Sequence, residues 1–336
     1  MNDPDPNNDS LAAAGRHSAT LGSLASMTPI NPSGLWKKRL GDWVINPYVG
    51  CEHGCYHCYC PAMPGVKFNN DGHKQREWGK YLLPKYGIVE ALHKQLRNFT
   101  PDKARKTEWG DGWVLMSFLT DCYTPSEAKH RLTRKCLQLL LEAGHKVRLQ
   151  TRSALVERDF DLLVAYKSQV LLGTSLPYMN DRLARALEPR ASSPTRRLRM
   201  LQKAREKGLS VYVCVAPFMP FHGDDVMSEV LKAIQPLRPR EIFCEVLNPK
   251  GDNIQMMYEA LAADFPKEAA FLKDYEPASW AQFTWKVLSF GLKRNTRFIP
   301  WPDTQRFWKT HLTAEQTAFL NNYLPPTEES PRLATA

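Results

Sequence analysis

The sequence has no long hydrophobic run. Its longest apolar stretch, VYVCVAPFMPF at residues 211–221, contains two prolines, whereas a membrane-spanning helix needs about 20 apolar residues. The N-terminal residues hold no basic region followed by an apolar stretch, the pattern that marks a secretory signal. From these two absences we expect a cytoplasmic protein without a membrane partner.

Cysteine is scarce, and its distribution is uneven. The 336 residues include eight cysteines, of which four lie in the stretch CEHGCYHCYC at residues 51–60. Cys51, Cys55 and Cys58 have the spacing C-x3-C-x2-C. Disulfides are rare in the reducing cytosol, and the tight spacing also opposes them, so three thiols on one loop favour a metal site.

The chain lacks the second, separated cysteine pair that typically completes a zinc site. His53, His57 or Cys60 could supply a fourth zinc ligand. A four-iron cluster held by three cysteines would instead leave one iron open for another molecule to bind. We expect neither histidine to bind iron, because a histidine in a polar loop is more often solvated or locally hydrogen-bonded than a ligand.

Acidic residues are outnumbered by basic ones. The chain has 45 Lys and Arg residues against 35 Asp and Glu residues, a formal net charge of +10. The first thirty residues carry three aspartates and one arginine, so the remainder is +12. An excess of this size favours an anionic partner, most simply nucleic acid, although a basic protein without such a partner has the same composition.

Short apolar runs alternate with amphipathic stretches along most of the chain. Runs of strand length, rich in Val, Leu or Phe, are typical of parallel strands buried on both faces. They cover residues 113–118, 146–151, 170–175, 211–216 and 241–246, with a further strand-like segment at 43–50. Helical candidates cover residues 126–144, 155–166, 193–208 and 225–235. This alternation predicts an α/β fold whose parallel sheet closes, or nearly closes, into a TIM-like barrel.

Signals for helix ends support this assignment. Ser193 followed by Pro194 has the pattern of an N-cap with proline at the first helical position. Gly144 and Gly208 stand where a glycine that ends a helix belongs.

Composition divides the chain into four segments. Residues 1–28 are rich in Asn, Asp, Ser, Ala and Gly without apolar periodicity, and we expect a disordered tail. Residues 29–250 carry the alternating pattern of the barrel. Residues 251–324 form a helical, tryptophan-rich extension, and residues 325–336 form a second disordered tail.

Polar residues follow several of the predicted strands. They include Thr120 and Asp121 after the first run and Arg152 after the second, while Ser175 ends the third. In barrels of parallel strands, active-site residues gather at the carboxyl ends of the strands. We therefore expect the chemistry of this protein at that end of the barrel.

Five blocks of the sequence, in order, resemble one enzyme family. C-x3-C-x2-C followed by an aromatic resembles the cluster motif of radical S-adenosylmethionine (SAM) enzymes. The context resembles the spore photoproduct lyase-like (DNA repair photolyase-like) subfamily over about residues 40–250. The blocks are INPYVGCEHGCYHCY (45–59), MSFLTDCYTPSEAKHRLTR (116–134), LQTRSALVERDFDLL (149–163), LARALEPRASSPTRRL (183–198) and VYVCVAPFMP (211–220).

The resemblance implies a fold, cofactors and a reaction. It implies a partial TIM-like (β/α)6 barrel with a helical C-terminal extension, a [4Fe–4S] cluster and SAM as cofactors, and an electron donor such as flavodoxin or ferredoxin. In the family, one electron from the cluster cleaves SAM to a 5′-deoxyadenosyl radical, which abstracts hydrogen from a substrate.

The resemblance also implies the site residues. The cluster ligands would be Cys51, Cys55 and Cys58. The residues that would contact SAM are Tyr59 near the adenine, Thr120 and Asp121 near the ammonium and ribose, Arg152 facing the carboxylate, Ser175, and Ala216 through its backbone. Alternative roles are an ordinary core position for Tyr59, helix capping by Thr120 and Asp121, a surface ion pair for Arg152 and a plain strand-end hydroxyl for Ser175.

The sequence departs from the family pattern at two places. Arg152 replaces a lysine, which keeps the charge and changes the geometry. The extra cysteine that serves spore photoproduct lyase as hydrogen donor would align with Phe118 or Leu119, so the assignment as a DNA-lesion lyase is open. Cys122, close by, is a hypothetical hydrogen donor or substrate contact. Cys136, Cys214 and Cys244 have the surroundings of core residues.

Three functions are compatible with these features. The first, which we favour, is a radical SAM enzyme that acts on nucleic acid, such as a damaged or modified base. The second acts on a peptide, protein or small metabolite, and the third is a zinc or iron–sulfur binding module without catalysis. Two basic groups could contact nucleic acid: Arg196, Arg199, Lys203 and Lys207 on one helix face, and Trp36, Lys37, Lys38, Arg39 and Trp43 before the cysteines. The alternatives are a solvated helix face for the first group and, for the second, an N-terminal strap anchored on the barrel by its tryptophans.

Overall fold

The computed structural model describes residues 28–38, 40–69, 71–105, 112–273, 285, 298–300 and 312–321. Its main sheet has eight strands, in the order β1-β2-β5-β6-β7-β8-β9-β10. Strand β1 is antiparallel to β2, and all other neighbours in this sheet are parallel. The strands are β1 (Ile30–Pro32), β2 (Trp43–Ile45), β3 (Tyr48–Gly50), β4 (Leu82–Pro84), β5 (Val114–Met116), β6 (Val147–Gln150), β7 (Val170–Ser175), β8 (Ser210–Phe218), β9 (Ile242–Val246) and β10 (Phe298–Pro300).

Helices cover the outer face of the sheet. The α-helices are α1 (Pro64–Lys67), α2 (Ile88–Leu96), α3 (Pro101–Ala104), α4 (Glu127–His130), α5 (Leu132–Glu142), α6 (Phe160–Ala165), α7 (Asp181–Leu187), α8 (Pro194–Glu206), α9 (Asp224–Ile234), α10 (Asn253–Leu261), α11 (Pro266–Lys273) and α12 (Ala314–Asn321). Short 3-10 helices cover Gly34–Lys38, Cys60–Ala62, Gln75–Glu77, Ala154–Asp159 and Gln235–Leu237. The predicted α/β class, the partial parallel barrel and the helical C-terminal region are confirmed.

The predicted start of α8 and the predicted ends of α5 and α8 are confirmed. The Ser193 side chain accepts a hydrogen bond from Arg196 N, and Pro194 is the first helical residue. Gly144 and Gly208 both have a φ of +81°, the left-handed conformation that ends a helix.

Two predicted helices are interrupted. The stretch 126–144 divides into α4 and α5 because Arg131, between them, adopts the left-handed conformation with a φ of +52°. The stretch 155–166 begins as the 3-10 helix Ala154–Asp159 and becomes α-helical only at Phe160. The strand-like stretch 43–50 is also two strands, since β3 leaves the main sheet and pairs with β4.

Side chains alternate between two apolar layers along the parallel strands. In β5, Val114 and Met116 join the core under the helices, whereas Leu115 faces the interior of the barrel. Cys244 lies in the first layer and Cys214 in the second. Cys136, Cys214 and Cys244 are all fully buried, so their prediction as core residues is confirmed.

A cation fills the barrel interior two residues below the carboxyl end of β6. The Arg148 guanidinium lies 4.8 Å from the ring centre of Tyr212 and 5.4 Å from that of Phe243, and its Nη1 is 2.8 Å from Glu241 Oε2. Rings on the faces of a guanidinium compensate part of its charge when it leaves water. Arg148 and its surroundings therefore close the barrel beneath the strand ends.

Strand β7 approaches Tyr212 so closely that only glycine fits at position 173. A Cβ atom on Gly173 would lie 2.2 Å from the Tyr212 ring. The ring is fully buried and packs edge-on against Phe243, with ring centres 5.8 Å apart.

The C-terminal helices share the barrel's core. Met257 and Leu261 of α10 and Ala269 and Leu272 of α11 belong to the same apolar cluster as the strands. The proposed tails at 1–28 and 325–336 lie outside the described residues except for Thr28, as do most of the tryptophans of the predicted extension. Within the described ranges, no helix is long and apolar enough to cross a membrane.

Gly173→Ala is expected to destabilise the fold. Overpacking a filled interior costs about 1–3 kcal/mol, and the new methyl would have to displace Tyr212. Urea unfolding of Gly173→Ala and of the control Gly34→Ala, whose Cβ meets nothing within 4 Å, measures the effect. Equal unfolding midpoints for the two variants would contradict the close approach.

Candidate active site

A cleft opens at the carboxyl ends of the parallel strands. It encloses about 1050 Å³ of empty space, part of it continuous with solvent. All nine residues that the sequence analysis selected line this one cleft: Cys51, Cys55, Cys58, Tyr59, Thr120, Asp121, Arg152, Ser175 and Ala216. They reach it from the segments that follow β3, β5 and β6 and from the ends of β7 and β8.

The cysteine loop is held by its neighbours in the fold. Tyr56 N donates to Leu187 O at 2.9 Å, and Arg190 N donates to His53 O at 3.3 Å. Asn253, at the start of α10, donates to His57 O at 3.1 Å. The loop therefore depends on the end of α7 and on the C-terminal helices for its shape.

The three thiols of this loop are shielded from water. Cys51 and Cys55 are 6% exposed, and Cys58 is half-buried. Burial raises the pKa of the Cys51 and Cys55 thiols, and a hydrogen bond with Cys60, together with burial, raises that of Cys58. These groups are therefore poor thiolate nucleophiles by themselves, whereas a bound metal deprotonates a coordinating thiol.

Asp121 joins the segment after β5 to the segment after β6. Its Oδ1 accepts hydrogen bonds from Tyr123 N at 2.8 Å and the Thr151 hydroxyl at 2.6 Å, and its Oδ2 accepts from Arg152 N at 2.7 Å. His53 Nδ1 lies 3.3 Å from Oδ2. Burial opposes the charge of Asp121, but His53 and these hydrogen bonds outweigh burial and lower its pKa.

The His53 imidazole lies next to the Asp121 carboxylate, which favours a positive charge on the ring. Burial alone would lower the pKa of the imidazole, but Asp121 and Cys51 raise it to about 10. The ionised Asp121 therefore favours the protonated form of His53, which lies between this carboxylate and the Cys51 thiol.

Glu188 lies at the centre of a second buried polar group. Its Oε1 accepts a hydrogen bond from Arg152 Nη1 at 2.7 Å and from the Tyr178 hydroxyl at 3.1 Å. Its Oε2 accepts from Arg197 Nη2 at 2.7 Å, and His57 Nε2 lies 3.4 Å from Oε1. Burial opposes the charge, but the two guanidinium groups hold the pKa of Glu188 well below its usual value.

The two arginines extend this group to neighbouring strands. Arg152 Nη2 donates to Ala216 O at 3.0 Å, and Arg197 Nη1 donates to Ser175 O at 2.8 Å. The ends of β7 and β8 and the segment after β6 are thus joined through one carboxylate, that of Glu188.

The profile of the radical SAM superfamily matches residues 45–234. The chain belongs to the radical SAM superfamily. It is therefore an enzyme that uses a [4Fe–4S] cluster and SAM, and the non-catalytic binding module considered from the sequence is not its function.

Similar proteins in other organisms extend the comparison. An uncharacterized protein of Acidianus two-tailed virus is 35% identical over 244 residues, which cover 70% of this chain and 77% of that protein. An uncharacterized protein of Methanocaldococcus jannaschii is 28% identical over 197 residues, covering 59% and 67%.

A solved structure shares the fold. A mutant of spore photoproduct lyase aligns over 71% of this chain and 65% of that chain, with a TM-score of 0.53 and 14% identity. The aligned part thus spans just under two thirds of that structure. At this identity the similarity concerns the fold.

The donor set in the cleft fits the cofactors of the superfamily. Three thiols on one short loop, two of them buried and one half-buried, suit a four-iron cluster that keeps one iron open. A second combination, Cys55, His57 and Glu188, also brings its ligand atoms within 4.8 Å of one another. Glu188 already accepts hydrogen bonds from two guanidinium groups, and this positive charge opposes a metal ion at that carboxylate.

Several alternatives raised by the sequence are resolved by the geometry. Asp121 does not cap the following helix, because its partner Tyr123 lies before α4 begins. Arg152 pairs with a buried carboxylate and not with a surface one. The Thr120 hydroxyl donates to Gly50 O, and the Ser175 hydroxyl accepts from Gln150.

Of the two roles that the sequence left open for the loop histidines, solvation or local hydrogen bonding, the structure shows buried rings paired with carboxylates. His53 and His57 are 2% and 5% exposed, because the loop folds against Asp121 and Glu188. Cys122, the hypothetical hydrogen donor, is fully buried in the core beneath the sheet and does not line the cleft, so its position does not support that role. Cys60 does line it, with Sγ 3.5 Å from Phe118 O.

The predicted basic face of α8 is partly neutralised. Arg196 and Lys203 both pair with Glu157, the latter at 2.8 Å. Trp43 packs edge-on against Phe99 and is an anchoring residue, which agrees with the alternative of a strap on the barrel. Arg39 and the side chains of Lys37 and Lys38 lie outside the described parts of the chain.

The sequence analysis missed Glu188 and Arg197, although a signal for Arg197 exists. Arg197 shares a helical stripe with Met200, Leu201 and Ala204, all fully buried. A charged residue inside an apolar stripe requires a buried partner. For Glu188, nothing comparable in the sequence identifies it as that partner.

Asp121→Asn is expected to destabilise the protein. The new amide would present N–H groups to donors that now bind a carboxylate, and leaving buried donors unpaired costs about 1–3 kcal/mol. Asp161→Asn is the control, since Asp161 pairs with Arg134 at an exposed site where an ion pair contributes about 0–1 kcal/mol. In urea unfolding, Asp121→Asn should have a lower free energy of unfolding than Asp161→Asn. The reverse order would refute the role of Asp121 in pairing the buried donors.

Proposed function

We propose that the cleft binds SAM beside a cluster held by Cys51, Cys55 and Cys58, and that the enzyme abstracts hydrogen from a nucleic acid substrate. The convergence of the nine residues on one cleft carries this proposal. When bound, the cluster and SAM supply the one-electron cleavage that produces a 5′-deoxyadenosyl radical.

Each residue of the cleft then has a physical task. The Arg152 guanidinium is held by Glu188 and Ala216 O, so its remaining N–H groups are oriented for the SAM carboxylate. The anionic Asp121 suits the ammonium end of SAM, and Thr120 fixes the loop at Gly50. Tyr59 would pack near the adenine, with Ser175 and Ala216 at the adjacent strand ends.

Features beside the cleft favour nucleic acid as the substrate. Helix α1 begins four residues after Cys60, and Phe68 at its end is 80% exposed. Lys67 is exposed beside it, and the Lys250 ammonium reaches Met63, just before α1. Lysines with an exposed aromatic ring suit phosphates and an unstacked base. A base lesion is the substrate we favour, with a DNA-repair lyase reaction in the cytoplasm.

The reaction also needs an electron source. We propose flavodoxin or ferredoxin as the donor, because the cluster must accept one electron for each cleavage of SAM. Titrating the reconstituted enzyme with reduced flavodoxin or ferredoxin tests this partner directly.

SAM cleavage is the first expected activity. After anaerobic reconstitution and reduction with dithionite, the enzyme should form 5′-deoxyadenosine from SAM. Cys55→Ala should lose this product, because it removes a cluster ligand. Cys136→Ala, which changes a cysteine in the core away from the cleft, should retain it. A brown, iron-loaded wild-type protein that forms no 5′-deoxyadenosine would count against the proposed reaction.

Binding to single-stranded DNA should depend steeply on salt. Lys67→Gln combined with Lys250→Gln should weaken binding at low salt and reduce the slope of log Kd against log salt by about two. The control combines Lys94→Gln on α2 with Lys135→Gln on α5, both exposed. The affinity is measured by fluorescence anisotropy at several salt concentrations. An affinity that does not change with salt, or equal effects of the two double variants, would favour a peptide, protein or metabolite substrate instead.

A further inference from the structure

The buried carboxylate of Glu188 lies next to the cysteine loop. A carboxylate oxygen of Glu188, Cys55 Sγ and a His57 ring nitrogen lie within 4.8 Å of one another. Glu188 and Arg197 are at most 1% exposed at their side chains, and Arg152 is 16% exposed. Three charges are therefore fixed, with little screening by water, beside one of the three proposed cluster ligands.

The sum of these charges is positive. Two guanidinium groups share one carboxylate, at 2.7 Å each, so one positive charge is left over. Both arginines act on the Cys55 thiol and oppose the rise in its pKa that burial and Glu188 cause. The charges of the triad therefore act at Cys55 with opposite signs, Glu188 against the two arginines, at the position where the cluster would be bound.

Stability alone is a weak reason for this arrangement. A buried ion pair or triad is often no more stable than apolar residues of the same volume. Its effect on a neighbouring redox centre is direct, however. Reduction adds one negative charge to a cluster, so nearby positive charge favours the reduced form and negative charge disfavours it.

We propose that the buried Arg152–Glu188–Arg197 triad sets the reduction potential of the cluster, with Glu188 limiting the positive charge that the two arginines present to it. This inference rests on the proposed function only in assigning Cys55 to the cluster. It concerns charges that are fixed, and it does not require any of the three groups to gain or lose a proton.

The proposal predicts that removing the negative charge and removing a positive charge of the triad shift the midpoint potential of the cluster in opposite directions. Glu188→Gln removes the negative charge, so the midpoint potential should become more positive. Arg197→Gln removes a positive charge, so the potential should become more negative. At a fixed solution potential, we expect the ratio of reduced to oxidised cluster to change by roughly tenfold in each direction. A purely structural role predicts that both variants behave alike.

The measurement is a redox titration of the anaerobically reconstituted full chain, followed by electron paramagnetic resonance of the reduced cluster. Arg197→Lys keeps the charge and should leave the potential near that of the wild type. Glu157→Gln is the matched control, because Glu157 also joins two basic side chains but does not line the cleft. The thermal midpoint of each variant is measured in parallel.

Shifts of opposite sign for Glu188→Gln and Arg197→Gln, with Arg197→Lys and Glu157→Gln unchanged, would support the proposal. Shifts of the same sign, or none, would overturn it. A Glu188→Gln protein that folds normally but holds no iron would also overturn it, in favour of a structural tie. If Glu188→Gln does not fold, the comparison of Arg197→Lys with Arg197→Gln decides.

Failure of the proposed function would have a different signature. A wild-type protein that binds no cluster after reconstitution would refute the assignment of Cys55. A wild-type protein with a titratable cluster but no cleavage of SAM would leave the triad testable, since the potential is measured without SAM.

Discussion

A carboxylate that cannot reach water must be compensated inside the protein, and this constraint organises the candidate active site. Glu188 follows α7, Arg197 lies on α8, Arg152 follows β6, and His57 belongs to the cysteine loop. Since an unpaired buried charge is very costly, all of these elements must dock for the carboxylate to be stable. The candidate active site can therefore form only when these elements have docked against one another.

The barrel restricts the site to one end. Arg148, with the rings around it, fills the interior two residues below the end of β6, and the missing side chain of Gly173 allows the close approach of Tyr212. The cleft begins above this layer. Among the described residues, the cleft therefore lies at the carboxyl side of the strands, together with the cysteine loop and the segments after β5 and β6.

The C-terminal helices contribute to the site as well as to the core. Asn253 of α10 is fully buried and holds the backbone of His57, between two of the proposed cluster ligands. Membership of the radical SAM superfamily accounts for the cofactors. It does not identify the substrate, which depends on the residues around the cleft. Phe68, Lys67 and Lys250 are surface features, and the substrate contact that we propose for them is separate from the buried charges.

Local sequence patterns determined the strands β5 to β9, the start of α8 at Ser193 and Pro194, and the cysteine loop, because these depend on neighbours along the chain. The strands β1, β4 and β10 were not predicted. The resemblance of five sequence blocks to a known family identified the nine candidate site residues, and the fold brings them together in one cleft. Only the tertiary structure decided that His53 and His57 are buried, that Cys122 faces the core, and that Glu188 joins two arginines. These outcomes depend on contacts between residues far apart in sequence: Glu188 and His57 are separated by 131 positions, and no periodicity in either segment encodes the partner.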